Sequence, residues 1–383
     1  MQRKVAIVAC EQDNSPDIGK SRERMLFDLV KRLYDKVGIT RHDIGTFVLC
    51  SNDFNTGHTI SNVFEDSPVG AYMKDETKVE ADGVMAATYG LMRILSGNYD
   101  TALIVGASQE GSVCRPYLMM EYELSPVYDR QLGILNEPAT AALQARAYLA
   151  AFGLEEEVFD AIAARLLANA AKNPDAFNGK GGITPEDVSS SKYLYEPIRE
   201  AHCYPRTDGV CAVLLASEEK AKSLTDKPIW IKGIGNSIDS YYLDRDLARS
   251  NSVKLASKHA FEMAGINNPA SEIDLVELSA KFAHQEPIIC EAMGLFPEGS
   301  AKEVAEKGKA QINGDMPVSP SGSGLGAYAT NAAGLVRIAE CVKQLKGEAG
   351  EIQVEGAKTA VAHGQDGFCL QHNALMVLSV EEG

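Results

Sequence analysis

One arrangement occurs twice in this chain, and it limits the fold more than any other feature. In the first half, RKVAIVACEQ is strand-like and SRERMLFDLVKRLYDKVGIT places Met25, Leu26, Leu29, Val30, Leu33 and Val37 at helical spacing before Gly38. DIGTFVLCS then returns to a strand pattern. In the second half, PIWIKGIGNS, NSVKLASKHAFEMAGIN and EIDLVELS repeat the series, with Val253, Leu255, Ala256, Ala260 and Met263 as the apolar residues and Gly265 as the stop. A later pair extends the likeness: MAATYGLMRILSG before the strand TALIVGAS matches GAYATNAAGLVRIAECVKQLKG before GAKTAVAHG. Strands alternating with helices in two similar series predict a duplicated α/β fold, each half a sheet covered by helices. The halves fall at 1–222 and 228–383, joined near Ser223 to Pro228.

The first half carries an insertion, at about 118–205. NEPATAALQARAYLAAFG and EEEVFDAIAARLLANAAKNPDAF read as successive amphipathic helices, and GKGGITPEDVSSSKYLYEPIREAHCYPRTDG is longer and richer in turn residues than an ordinary connection. Such a segment is expected to cover a binding cleft. GVCAVLLAS then closes the half as a central strand.

Charge and cysteine usage exclude some functions. A formal charge of −16 with no Lys/Arg cluster argues against a nucleic-acid surface. Cys10, Cys50, Cys114, Cys203, Cys211, Cys290, Cys341 and Cys369 are scattered, and none forms a C-x-x-C pair, so no metal site is predicted. Several lie in apolar strand-like runs as inert thiols, which points to a reducing cytoplasm. MQRKVAIVACEQ lacks the form of a signal peptide, and no apolar run approaches the ~20 residues of a membrane span.

The stretch KVEADGVMAATYGLMRILSGNYDTALIVGAS, Lys78 to Ser108, runs from a short strand through Asp82-Gly83 into an apolar helix. Free N–H groups at such a helix start stabilise developing negative charge, which suits a nucleophile. No Ser, Cys or Thr stands at the turn.

Several segments together resemble the thiolase superfamily, and within it the sterol-carrier-protein-type (lipid-transfer or non-specific) thiolases. They are LQARAYLAAFG with KNPDAF, YEPIREAHCYPRTDGVCAVLLAS, EIDLVELSAKF, MPVSPSGSGLGAYATNAAGL and ECVKQLKGEAG, spread over essentially the whole chain. The resemblance implies a five-layered αβαβα thiolase fold that dimerises, acting on a CoA thioester without a covalently bound cofactor. Four loops meet at one cleft in that family. They supply a nucleophilic Cys, a His or Asn, a Gly-His-Pro turn and a C-terminal Cys or His-Asn loop.

This chain departs from the pattern at three of the four. Gly83 stands where the Cys is expected, Ser279 replaces the His or Asn, and Ala327-Tyr328-Ala329 replaces Gly-His-Pro. His363, Cys369 and His372 remain in the last loop. Steroid side-chain aldolases, which pair with a DUF35 protein, are similar in lacking the Cys and carrying a Tyr in that turn. Retro-aldol cleavage needs a base and donors for a thioester enolate, but no nucleophile.

On this reading Tyr328 is the acid or base, and a base role requires its pKa to be lowered. Backbone N–H groups near Gly83 and Gly367 form an oxyanion hole, Gly83 leaves space for substrate, and Ser321 and Gly322 offer donors at a second helix start. Ser279 is a proton relay or a filler. His284 is placed to face the cleft, Tyr241 and Tyr242 to line an acyl pocket, and Arg245 or Arg249 to meet CoA phosphates. The alternatives are an acyltransferase using another residue such as Cys369, and a non-catalytic subunit of a heteromeric thiolase. Expected partners are acyl-CoA, a second copy and a small OB-fold, zinc-ribbon (DUF35-type) protein in a heterotetramer.

Overall fold

The computed structural model describes residues 3–56, 59–110, 125–133 and 136–382. Cys114 and positions 118–124 and 134–135 of the predicted insertion lie outside them. The strands are β1 (Val5–Ser15), β2 (Thr46–Cys50), β3 (Asp75–Val79), β4 (Thr101–Gln109), β5 (Tyr193–Tyr195), β6 (Ile198–Arg199), β7 (Asp208–Ser217), β8 (Ile229–Ile238), β9 (Leu275–Leu278), β10 (Thr359–Asp366) and β11 (His372–Ser379). The helices that place the site are α1 (Arg22–Val37), α2 (Gly83–Leu95), α3 (Glu137–Phe152), α4 (Glu157–Ala170), α5 (Asn251–Ala264), α6 (Gln285–Ala292) and α7 (Ala333–Lys346).

Nine strands form one sheet in the order β3-β2-β4-β7-β1-β8-β11-β10-β9, while β5 and β6 form a separate pair. In the first half β2 is parallel to β3 and β4, and β7 is antiparallel to β4 and β1. The second half repeats this: β9 is parallel to β10 and bridges to Val318, and β11 is antiparallel to β10 and β8. Only two residue pairs, Ala6 with Trp230 and Ile7 with Ile229, join the halves at β1 and β8.

Strand alternation then sets the layers. Phe47, Leu49, Leu103 and Val105 face α1, whereas Val48, Cys50, Ala102 and Ile104 face the interior with Val84, Ala87, Leu335 and Ile338 of α2 and α7. Ala360, Ala362 and Met376 of the second half close the same interior cluster. The sheet thus wraps two helices that are buried on nearly every side, as a middle layer must be. Helices α3, α4, α5 and α6 cover the outer face of the second half, giving the five-layered αβαβα arrangement.

The repeated helices are bounded as their sequence predicts. Ser21 and Ser250 cap the starts of α1 and α5, and left-handed Gly38 and Gly265 end them. The apolar face of α5 needs a correction, because Leu255 and Met263 are exposed and Val253, Ala256 and Ala260 are buried. Gly233 and Gly235 of β8 explain it: a Cβ on either would overlap the carbonyl oxygens of Ala260 or Ala256. The helix lies directly on glycine backbone, so its small residues form the contact. The strand before α2 ends at Val79, three residues ahead of the Asp82 cap.

Candidate active site

The start of α2 is a closed joint. A Cβ on Gly83 would overlap the backbone nitrogen of Leu335 and lie 2.7 Å from its Cγ, so the expected space for substrate is filled by α7. The side chain that does stand at this helix start is Asp82, 2% exposed. The Val84 N–H donates to its Oδ1 at 2.8 Å and the Gly334 N–H to its Oδ2 at 3.0 Å. One carboxylate therefore caps both middle-layer helices, using the donors expected for an oxyanion. It fits because Gly334 and Gly364 lack side chains, each of which would collide with Oδ1. Burial raises the Asp82 carboxyl to about 7, with Asp366 adding to the rise.

Tyr328 lies in a different setting, beside charged and aromatic side chains. Its backbone N–H donates to Thr207 Oγ1 at 3.0 Å, its ring lies 5.1 Å from that of Tyr204, and Lys281 Nζ sits 5.6 Å from the ring centroid. Lys281 pairs with Glu137 Oε1 at 2.7 Å, and the Tyr204 hydroxyl donates to Glu137 Oε2 at 2.7 Å. Burial lowers the Lys281 pKa, but Glu137 and Tyr328 outweigh it and keep the ammonium charged. Burial raises Tyr328 above the ordinary phenol range despite the opposing Lys281 charge. The lowered pKa that a base role requires is absent, and the phenol stays protonated. Asp82, Glu137 and Asp366, half-buried at the end of β10, are the acidic groups whose charge acts on it, while Glu110, buried just after β4, lies beside Tyr204 within the reach of Lys281 and Glu137.

The remaining predicted residues separate from this cluster. On β10, Val361 belongs to the outer core and Ala362 to the interior one, and Gly364 touches Asp82. By alternation His363 therefore faces outward, away from Asp82. Its Nε2 meets Asn373 Oδ1 at 3.0 Å, and burial depresses its pKa to about 4. His372 pairs with Asn236 Oδ1 at 2.7 Å at the start of β11. His284 meets Gln144 Oε1 at 3.1 Å and is depressed by burial to about 3. Ser279 is fully buried, and its Oγ lacks a hydrogen-bond partner among the described residues.

Cys369 is also locked. Its Sγ donates to the Thr140 carbonyl at 3.3 Å, and burial pushes the thiol up to about 12. The Gly367 N–H turns to Asp366 Oδ1 at 2.9 Å rather than outward. Ser321 serves Glu277: its N–H donates to Oε1 at 2.9 Å and its hydroxyl to Oε2, while Arg337 donates to Ser321 Oγ at 2.8 Å. The Gly322 N–H is bonded to the Ser319 carbonyl at 3.0 Å, and its Cα packs on Ala170. These two positions hold a packing joint, not an open oxyanion site. Arg249 pairs with Glu298 and Asp246, and Arg245 donates to the carbonyls of Phe368 and Cys369. Tyr241 and Tyr242 are exposed, with Tyr242 against Tyr128.

Asp82, Glu110, Glu137, Tyr204, Lys281 and Asp366 were not singled out by sequence. A usable signal existed for two of them: Lys281 sits between Ala280 and Phe282, and Glu110 ends an apolar strand, both unfavourable places for an unpaired charge.

Comparison with known proteins agrees with this fold. The family described as thiolase C-terminal domain-like matches residues 235–380. An acetyl-CoA acetyltransferase of Methanothermobacter thermautotrophicus is 32% identical over 295 residues, 75% of this chain and 76% of that protein. Sterol carrier protein 2 of Oryctolagus cuniculus is 32% identical over 46% of this chain, which spans 34% of that longer protein. A 17-hydroxy-3-oxo-4-pregnene-20-carboxyl-CoA lyase of Mycobacterium tuberculosis is 26% identical over 88% of this chain and 89% of its own length. The solved Ltp2-ChsH2(DUF35) aldolase shares the fold, with a TM-score of 0.84 at 21% identity over 98% of this chain and 97% of that one. Full-length α/β duplication, two wrapped middle helices and these similarities together make the chain a member of the thiolase superfamily, in its sterol-carrier-protein-type branch.

Proposed function

We propose that the chain makes or breaks a carbon–carbon bond in an acyl-CoA by aldol-type chemistry, without an acyl-enzyme intermediate. The observation that carries this reading is the Leu335 backbone filling the place of any side chain at Gly83. Acyl transfer needs a thiolate, and Cys369, the remaining candidate, is buried, bonded and pushed up to about 12. Retro-aldol cleavage needs only proton movement and enolate stabilisation.

In this scheme the half-buried Asp366, which has no ion pair among the described residues, takes the β-hydroxyl proton. Tyr328 donates a hydrogen bond to the enolate oxygen, and the Lys281 charge lies behind it. The lyase relative and the aldolase neighbour support the same reaction class. The substrate is a CoA thioester, and a DUF35-type OB-fold, zinc-ribbon protein is the proposed partner. A second copy is proposed to cover the first-half edge beside β3, where Ile60, Val63, Phe64, Tyr72 and Met73 are exposed. Among the described residues no helix is long and apolar enough to cross a membrane, and a cytoplasmic location is proposed.

The test is incubation of the chain, alone and with a DUF35 protein, with secondary and tertiary β-hydroxyacyl-CoA thioesters. A carbonyl product plus a shortened acyl-CoA is expected. An acyl group trapped on Cys369 would instead establish the acyltransferase reading, and inertness in both settings the non-catalytic subunit. Sedimentation as a monomer at micromolar concentration would remove the second copy.

A further inference from the structure

Glu110 has a chemical position that neither the fold nor the scheme above accounts for. It directly follows β4 and is 5% exposed. The Thr330 hydroxyl, two residues after Tyr328, donates to its Oε1. Its Oε2 is buried with no hydrogen-bond partner among the described residues. No cation lies within ion-pair distance among the described residues, because Lys281 is committed to Glu137 and Arg206 Nε donates at 2.8 Å to the Glu110 main-chain carbonyl.

A buried carboxylate with an orphaned oxygen is unfavourable as an ion. As a carboxylic acid it carries a proton on that oxygen and needs an acceptor there. We infer that Glu110 is held as a neutral acid and donates Oε2–H to the thioester oxygen of bound substrate, making with Tyr328 a two-donor cradle for the enolate. Burial, which raises the group to about 7, supports this protonation. The inference rests on the aldol reading. Asp366 removes the β-hydroxyl proton, the O–H electrons form the new carbonyl, and the Cα–Cβ bond breaks. Its electrons become the enolate, whose oxygen accepts from Glu110 and Tyr328. Asp366 then returns the proton to Cα, so Glu110 ends with the proton it began with.

The charged and polar groups around Glu110 are Lys281, Glu137, Arg206, Tyr204 and Thr330. Glu110→Gln keeps an N–H donor, whereas Glu110→Ala removes it. With a β-hydroxyacyl-CoA, the Gln variant is expected within about tenfold of wild type in kcat, and the Ala variant lower by ~10²–10³. The wild-type rate should fall as pH rises past about 7, and that fall should vanish in the Gln variant. The wild-type minus Gln-variant infrared difference spectrum at pH about 6 should show one protonated-carboxyl band in excess in wild type, beyond the Asp82, Glu277 and Glu65 carboxyls that the two proteins share.

A Gln variant as slow as the Ala variant, or no such band, overturns the inference. Solvent-deuterium exchange into the α-carbon of propionyl-CoA separates this from failure of the aldol reading. Exchange without cleavage, in the same order of variants, keeps Glu110 and discards the aldol reaction. Neither exchange nor cleavage overturns both.

Discussion

The starts of α2 and α7 occupy equivalent places in the two halves of the sheet. Each helix follows a backbone segment paired in parallel with the neighbouring strand, β3 in one half and Val318 in the other, and each leads into the next parallel strand. Their contents differ. At α2 the chain enters at once: Asp82 caps the helix, and Gly83 is pressed against Leu335. Before α7 the chain takes a longer course from Val318 to Ala332, where Ser321 is bonded to Glu277 and Tyr328 is carried beside Lys281. Duplication therefore supplies two similar frames, and the proposed chemistry occupies one of them. The other is committed to packing.

Tyr328→Phe offers the strongest attack on that contrast, because it removes the hydroxyl and keeps the ring against Tyr204. General acid–base and donor contributions of ~10²–10⁴-fold set the expected fall in kcat for β-hydroxyacyl-CoA cleavage. KM and the melting temperature should change little. Wild-type turnover in the Phe variant would show that the turn before α7 is as inert as the start of α2.

The converse change is Gly83→Cys, which restores a thiol where a thiolase of this kind would carry one. The added Cβ overlaps Leu335, so overpacking of ~1–3 kcal/mol or more is expected as a lower melting temperature, with no acyl-enzyme detectable by mass spectrometry. A stable Cys variant that accumulates an acyl group would make the two helix starts chemically interchangeable. A smaller effect is expected at Ser321→Ala. Removing the hydroxyl leaves buried Glu277 with fewer donors, for about 1–2 kcal/mol of stability at unchanged kcat. A fall in kcat larger than about tenfold would return Ser321 to the site.

How much of this was legible depended on the kind of signal. The strand-helix-strand series of each half was legible in the repeated pattern, whereas the strand order and the faces that TFVLC and TALIVGAS turn to α1 and α2 came from the structure. The empty nucleophile position and Tyr328 could be read by comparison with family motifs, without knowing any contact. The partners of Tyr328 could not. Glu137, Tyr204 and Lys281 lie far apart in sequence, and only the docking of the α3 region against the loop after β9 brings them together. His363 failed for a simpler reason: a one-residue step along a strand reverses the face, and the spacing of His363 and His372 carries no information about which side of the sheet meets Tyr328. The exposed Leu255 failed because Gly233 and Gly235 moved the contact of α5 onto its smallest residues.

Titration should separate the two helix starts by the smallest effect. Each has one buried carboxylate raised by burial to about 7, Asp82 at α2 and Glu277 before α7. Glu65 and Glu110 are raised to about 7 as well, while burial depresses His284 to about 3 and His363 to about 4. A raised carboxyl holds its proton more tightly when folded, so its stabilisation is complete below the ordinary carboxylate pKa and is lost as pH rises through about 7. A depressed histidine works oppositely, losing its contribution as pH falls below about 6.5. Between these limits the carboxyls outnumber the histidines, and the melting temperature should decline from pH about 5.5 to about 7.5. Asp82→Asn and Glu277→Gln each remove one titrating group, which should flatten the decline by on the order of 1–3 °C. The Asn variant should flatten it slightly more, because the Asp82 carboxyl is raised to about 7 from an ordinary value of 3.8 and that of Glu277 from 4.5. An equal decline in wild type and both variants would show that neither helix start titrates in this range.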